Sequence, residues 1–146
     1  MATVHDVAAY ILNKRGEMTA MKLQKLVYYC QAWSLVWDEK PMFPEPIEAW
    51  ANGPVVPALY EEHRGQFKVS RLPKGDPDRL GKKAQETANA VIKYYANRPA
   101  QWLSDLTHME DPWRNARKGI PEGVRGSQEI TLAALHEYYS GLESNA

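Results

Sequence analysis

The stretch from Met18 to Trp37, MTAMKLQKLVYYCQAWSLVW, leaves the rest of the chain little freedom. Leu23, Leu26, Val27, Cys30, Trp33 and Trp37 recur at helical spacing, and Leu35 and Val36 widen the apolar stripe beyond the needs of a surface helix. Lys22, Gln24, Lys25 and Gln31 fall largely on the other side. Thr19 is placed to cap the start. Pro41, Pro44 and Pro46 close the segment, because each lacks a backbone donor and disfavours helix in the residue before it. A helix this apolar has to be central, with other elements packed around it. At 146 residues the chain has the length of one domain, long enough to bury roughly 70% of its unfolded surface.

The other elements can be read around that helix. Thr3 followed by Asp6 signals a first helix through Val4, Val7, Ala8, Ile11 and Leu12, stopped at Gly16 after Lys14 and Arg15. IEAWANG alternates as a short strand and QFKVSRL as a weaker one, and between them a short helix starts near Pro57 and closes at Gly65. Asp76 with Pro77 predicts the start of a long helix lined by Leu80, Ala84, Thr87, Ala88, Val91 and Tyr94 or Tyr95, ended by Pro99. PAQWLSDLTHM is a further helix, Asp111 with Pro112 opens a short one, and Ser127 is the expected cap of the last, which carries Ile130, Leu132, Leu135, Tyr138 and Tyr139. The expectation is a mainly α domain of about six to seven helices with a small β ribbon near residues 46–72, filling residues 1–146 without an appended DNA-binding domain.

Charge narrows the functional classes. Lys and Arg number 18 against 18 Asp and Glu, and each half of the chain is separately balanced. Nucleic-acid binders draw affinity from neutralising phosphates, so an even chain argues against that class. The one local basic cluster, Arg114, Arg117 and Lys118, reads as a solvated helical face. A helix–turn–helix drawn on GEMTAMKLQKLVYY would present Leu, Val, Tyr and Trp where base-reading polar groups belong. There is no signal peptide and no apolar run long enough to span a membrane, so the expected location is the cytoplasm. The single cysteine, Cys30, forms no intramolecular disulfide and reads as a buried thiol.

No phosphate loop, nucleophile elbow or metal-spaced cysteine set is present. His108, Glu110 and Asp111 in HMED are the nearest approach to a cluster. They underlie the alternative of a small metal-dependent hydrolase, against the plainer reading that they cap and solvate helix ends. The expectation is a non-enzyme without catalytic residues, metal or cofactor. NGPVVPALY has two readings: Gly53 and the prolines build a turn and launch a helix, or the rigid turn forms a binding edge beside Trp50 and Tyr60. Five tryptophans at this length are expected to be at least partly buried, any exposed one being an interface anchor.

Taken together, MTAMKLQKLVYYCQAWSL, PMFPEPIEAWANGPVVPALYEEHR, WLSDLTHMEDPWRNAR and ITLAALHEYY resemble, in order, segments of the Panacea-domain family, the SocA-like antitoxins also described as GepA-type phage-associated proteins. The resemblance covers most of residues 3–140, and KVSRLPKGDPDRLGKK carries none of it. It implies a protein that neutralises a co-encoded bacterial or phage toxin by direct binding, through masking, inactivation or delivery to a protease. The partner is then a protein toxin from a neighbouring gene, with no membrane and no nucleic acid involved. The candidate partner-binding residues are Trp50, Asn52, Gly53, Pro54 and Tyr60, with Trp113 and Arg114 as outer members. A DNA-binding regulator is the other alternative.

Overall fold

A computed structural model of the chain describes residues 1–144. It contains helices α1 (Val4–Arg15), α2 (Ala20–Trp37), α3 (Pro57–His63), α4 (Lys82–Tyr95), α5 (Ala100–Met109), α6 (Asp111–Ala116) and α7 (Leu132–Ser144). Short strands β1 (Met18–Thr19), β2 (Ile47–Trp50), β3 (Gly53–Val55), β4 (Lys68–Val69) and β5 (Glu129–Ile130) complete it. The mainly α expectation holds, and seven helices lie among the described residues.

Helix α2 is the mast of the fold, and α1, α4, α5, α7 and β3 pack on it. Its residues from Leu23 to Leu35 are all buried, including Gln24, Lys25, Gln31 and Ser34. The expected polar side of this helix is therefore an interior face. Buried polar groups need partners, and the two glutamines, one heptad apart on the same face, find them in irregular backbone. Gln31 Oε1 accepts from the amides of Met42 at 2.7 Å and Phe43 at 3.3 Å, while its Nε2 donates to the Phe43 carbonyl at 2.8 Å. Gln24 Oε1 accepts from the Val56 amide at 2.9 Å, and its Nε2 donates to His63 Nε2 at 3.0 Å. One amide pins the proline-rich crossing after α2, and the other pins the junction between β3 and α3.

The predicted caps at Thr3 and Thr19 are present, and Thr3 and Asp6 form a full capping box. Asp6 also accepts from the Asp76 amide at 2.9 Å, tying the long loop to α1. Burial raises the Asp6 carboxyl pKa, but the hydrogen bonds from Thr3 and Asp76 outweigh it and leave the pKa below its ordinary value.

Three boundaries differ from expectation. Asp76 and Pro77 open only a 3₁₀ turn, Pro77–Arg79, and α4 starts afresh at Lys82 beyond Gly81. Ser127 precedes β5; the cap of α7 is Thr131, whose hydroxyl accepts from the Ala134 amide at 3.1 Å. Glu110, not Asp111, holds the N-cap position of α6.

The small β structure near 46–72 is present, and its two expected strands fall in different sheets. β2 is the centre of a three-stranded antiparallel sheet in the order β3-β2-β5, whereas β4 pairs with β1, Met18 opposite Val69. Pro54 sits on the edge strand opposite Ala49, where a missing donor is tolerated.

Replacing Gln31 by Leu removes three hydrogen bonds to buried backbone, so the expected cost is about 3 kcal/mol. Chemical denaturation compared with the surface control Gln101→Ala, expected within ~0.5 kcal/mol of the parent, checks it.

Candidate functional site

The turn between β2 and β3 is built from behind. The carbonyls of Ala49, Trp50 and Asn52 are taken by Arg117 Nη1 at 3.1 Å, Trp113 Nε1 at 2.8 Å and Ser104 Oγ at 2.8 Å. These three donors come from α5, α6 and the residue after α6, so the turn is anchored to the helical body along its carbonyl edge. Arg117 is buried, contrary to the solvated face expected of it, and its second nitrogen donates to the carbonyls of Pro121 and Val124.

In front of the turn opens a cavity of about 940 Å³, within the size range of ligand pockets. Trp50, Asn52 and Tyr60 line it, and the Trp50 and Tyr60 rings meet edge-on with centroids 5.0 Å apart. Trp50 Nε1 donates to Glu48 Oε1 at 2.9 Å, which fixes the indole on the wall. Gly53 and Pro54 are buried beneath them. Gly53 has φ 132°, in the region that disfavours a side chain, and an added Cβ would lie 2.6 Å from Lys25 Cε. The glycine thus meets both demands: its backbone conformation, and passage of the lysine stem under the strand.

Three of the seven candidates therefore line the cavity, Gly53 and Pro54 lie buried in the same turn, and Trp113 and Arg114 are elsewhere. Trp113 is buried, stacked on His108 at 4.0 Å, and supports the turn from behind. Arg114 is outside the cavity, paired with Asp111 at 2.7 Å. Lining residues not anticipated as site members include Gln24, Lys25, His63 and Phe67. Gln24 and Lys25 fall on the side of α2 opposite its apolar stripe, and only the packing of β3 and α3 over that side places them here. His63 accepts from the Gln24 amide, so its Nε2 is unprotonated. Burial lowers its pKa in the same sense.

The HMED residues are dispersed into the structure. His108 stacks on Trp113, Asp111 pairs with Arg114, and Glu110 is buried, accepting from the hydroxyls of Tyr29 and Tyr139 at 2.7 Å each. Because Tyr139 spends its proton on Glu110, Tyr28 is the donor in the 3.1 Å contact between the Tyr28 and Tyr139 hydroxyls. Burial raises the Glu110 pKa, partly offset by the two tyrosine hydrogen bonds. Among the described residues no group of three or more His, Cys, Asp or Glu is arranged to hold a metal. Cys30 is buried among apolar neighbours, and burial pushes its thiol pKa up.

Two outcomes are expected. A raised folded-state pKa means that the native state holds the Glu110 proton above pH 4.5, where the unfolded chain has released it, so this contribution to stability is lost as pH rises through the folded value. Glu110→Gln keeps an acceptor for both tyrosines without that penalty. Its melting temperature relative to the parent should increase as pH climbs above 4.5; a constant difference across pH would contradict this. Gly53→Ala should cost about 1–3 kcal/mol through backbone strain and should displace Lys25, measured by denaturation and by the chemical shifts of the lysine.

The family model described as Antitoxin SocA-like, Panacea domain, matches residues 23–114, which run from the first buried turn of α2 to Arg114 in α6 and include every candidate residue. No curated protein and no solved structure matches the chain. No helix among the described residues is long and apolar enough to cross a membrane. The match spans well over half of the chain, and the protein belongs to the SocA-like Panacea-domain antitoxin family.

Proposed function

We propose that this protein is the antitoxin of a bacterial or phage toxin–antitoxin pair and neutralises a co-encoded protein toxin by binding it, without catalysis of its own. The observation that carries the reading is the convergence of Trp50, Asn52 and Tyr60 on one open cavity inside the segment that defines an antitoxin-like family. Two aromatic rings fixed on a rigid wall offer large contact area at small entropic cost, which is what an interface anchor requires.

In this reading residues 1–146 act as one cytoplasmic Panacea domain, and no nucleic acid or membrane takes part. The binding face is the cavity and its rim: Trp50, Asn52 and Tyr60 make the contact, and Gly53 and Pro54 give the backbone its path. Trp113 holds the turn in place. Arg114 can join only if the partner extends past the rim.

The test is to induce the neighbouring gene's product alone and together with this protein, scoring growth and co-purification. Arrest by the neighbour, rescue by the parent chain and co-elution are expected. Trp50→Ala and Tyr60→Ala should lose rescue and co-elution while unfolding cooperatively, and Trp102→Ala, on an exposed residue of α5 outside the cavity, should retain both. A harmless neighbour, or rescue without a complex, would remove the basis of the reading.

A further inference from the structure

The floor of the cavity holds a cation that the fold leaves without a partner. Lys25 is 2% exposed and lines the cavity. Its ammonium lies directly under the β2–β3 turn, since a Cβ on Gly53 would stand 3.1 Å from Nζ. Among the described residues Lys25 forms no ion pair and donates no hydrogen bond, whereas the salt bridges present, such as Arg64 with Glu61 at 3.6 Å, are exposed ones. The one carboxylate on the cavity wall, Glu48, is engaged by Trp50. Burial lowers the Lys25 pKa to about 8, which leaves the amine mostly protonated at neutral pH.

An unpaired buried ammonium is costly, and a hydrophobic replacement of similar shape would be cheaper for folding alone. Resting on the reading of the protein as a toxin-binding domain, we infer that the Lys25 ammonium is the receptor for a single carboxylate side chain, Asp or Glu, carried on an apolar segment of the protein partner. The charge of the site fits this occupant. Arg64 and Arg125 join Lys25 in the lining against Glu48 alone, a local positive excess in a chain whose net charge is zero. Around the single deep cation the wall is apolar and aromatic, and Phe67 at the mouth is 78% exposed. One carboxylate with apolar neighbours matches that pattern, whereas a nucleic-acid backbone calls for a line of cations along a groove. Once the cavity is filled and water excluded, the new pair gains strength from the low local dielectric.

The experiment has two arms. Calorimetric titration with the purified neighbouring product compares the parent with Lys25→Met. The expected result is at least 30-fold weaker binding together with an unchanged or raised melting temperature, a combination that a merely structural lysine would not give. One Asp or Glu of the partner should exist whose amide replacement weakens binding to the parent and has little further effect on Lys25→Met. Binding of Lys25→Met within threefold of the parent overturns the inference while the antitoxin reading stands. If the neighbouring product does not bind the parent at all, that reading falls and the second arm still decides the pocket. There, N-acetylglutamate amide is titrated against protein carrying ¹³C-labelled lysine. A Lys25 Cε resonance that moves with it, and with neither N-acetylglutamine amide nor inorganic phosphate, supports the carboxylate receptor. A resonance that ignores it, or responds equally to phosphate, overturns it.

Discussion

The structure depends on the burial of the central thirteen residues of one helix, Leu23 to Leu35 of α2. Because residues 23–35 of α2 are enclosed, its buried glutamines need internal partners, and Gln24 and Gln31 find them in backbone that is neither helix nor central strand. Each amide offers a donor and an acceptor, so each can substitute for a piece of β-ladder. The proline-rich crossing after α2 and the start of α3 are thereby held in fixed positions although their own sequences supply little regular hydrogen bonding. The cavity inherits that rigidity, since β3 and α3 form its walls and Gln24 joins them to the mast.

The turn at the cavity is secured from the opposite side by a different device. Arg117, Trp113 and Ser104 take the carbonyls of Ala49, Trp50 and Asn52, so the turn is held by α5, α6 and the residue after α6 while Lys25 of α2 passes beneath it. A rigid surface loses little conformational entropy when a partner arrives. Lys25 differs from the glutamines beside it on α2, because its ammonium forms no ion pair or hydrogen bond among the described residues. It lines the cavity of about 940 Å³ instead. Stability alone gives no reason for that placement, and a binding role does.

Local chemistry was legible in the sequence wherever it was self-contained. Thr3 with Asp6, Thr19, and Pro57 mark helix starts by their own side chains, and the stripe from Leu23 to Trp37 announces a buried helix by its width. Features that depend on distant neighbours were not legible. β1 and β5 are two residues long, too short for any alternation, and each exists because a partner strand far along the chain reaches it. Ser127 and Thr131 both offer a capping hydroxyl, and the choice between them is made by the pairing of Ile47 with Ile130. Trp50, Asn52 and Tyr60 could be found because aromatic residues around a Gly-Pro turn are conspicuous. Lys25 could not, because a lysine beside a glutamine on a helix reads as solvated until β3 is laid over it. Arg117 misled for the same reason: its positive charge suggested a surface, while its fork of donors serves the carbonyls of Ala49, Pro121 and Val124.

The most direct test of the central claim is hydrogen–deuterium exchange on the protein free and bound to the neighbouring gene's product. The account predicts new protection over residues 48–67 and 125–127, around the cavity, with the amides of α2 already slow and unchanged. Protection confined to the exposed face of α4 and α5, around Tyr94 and Trp102, with none at the cavity, would contradict it.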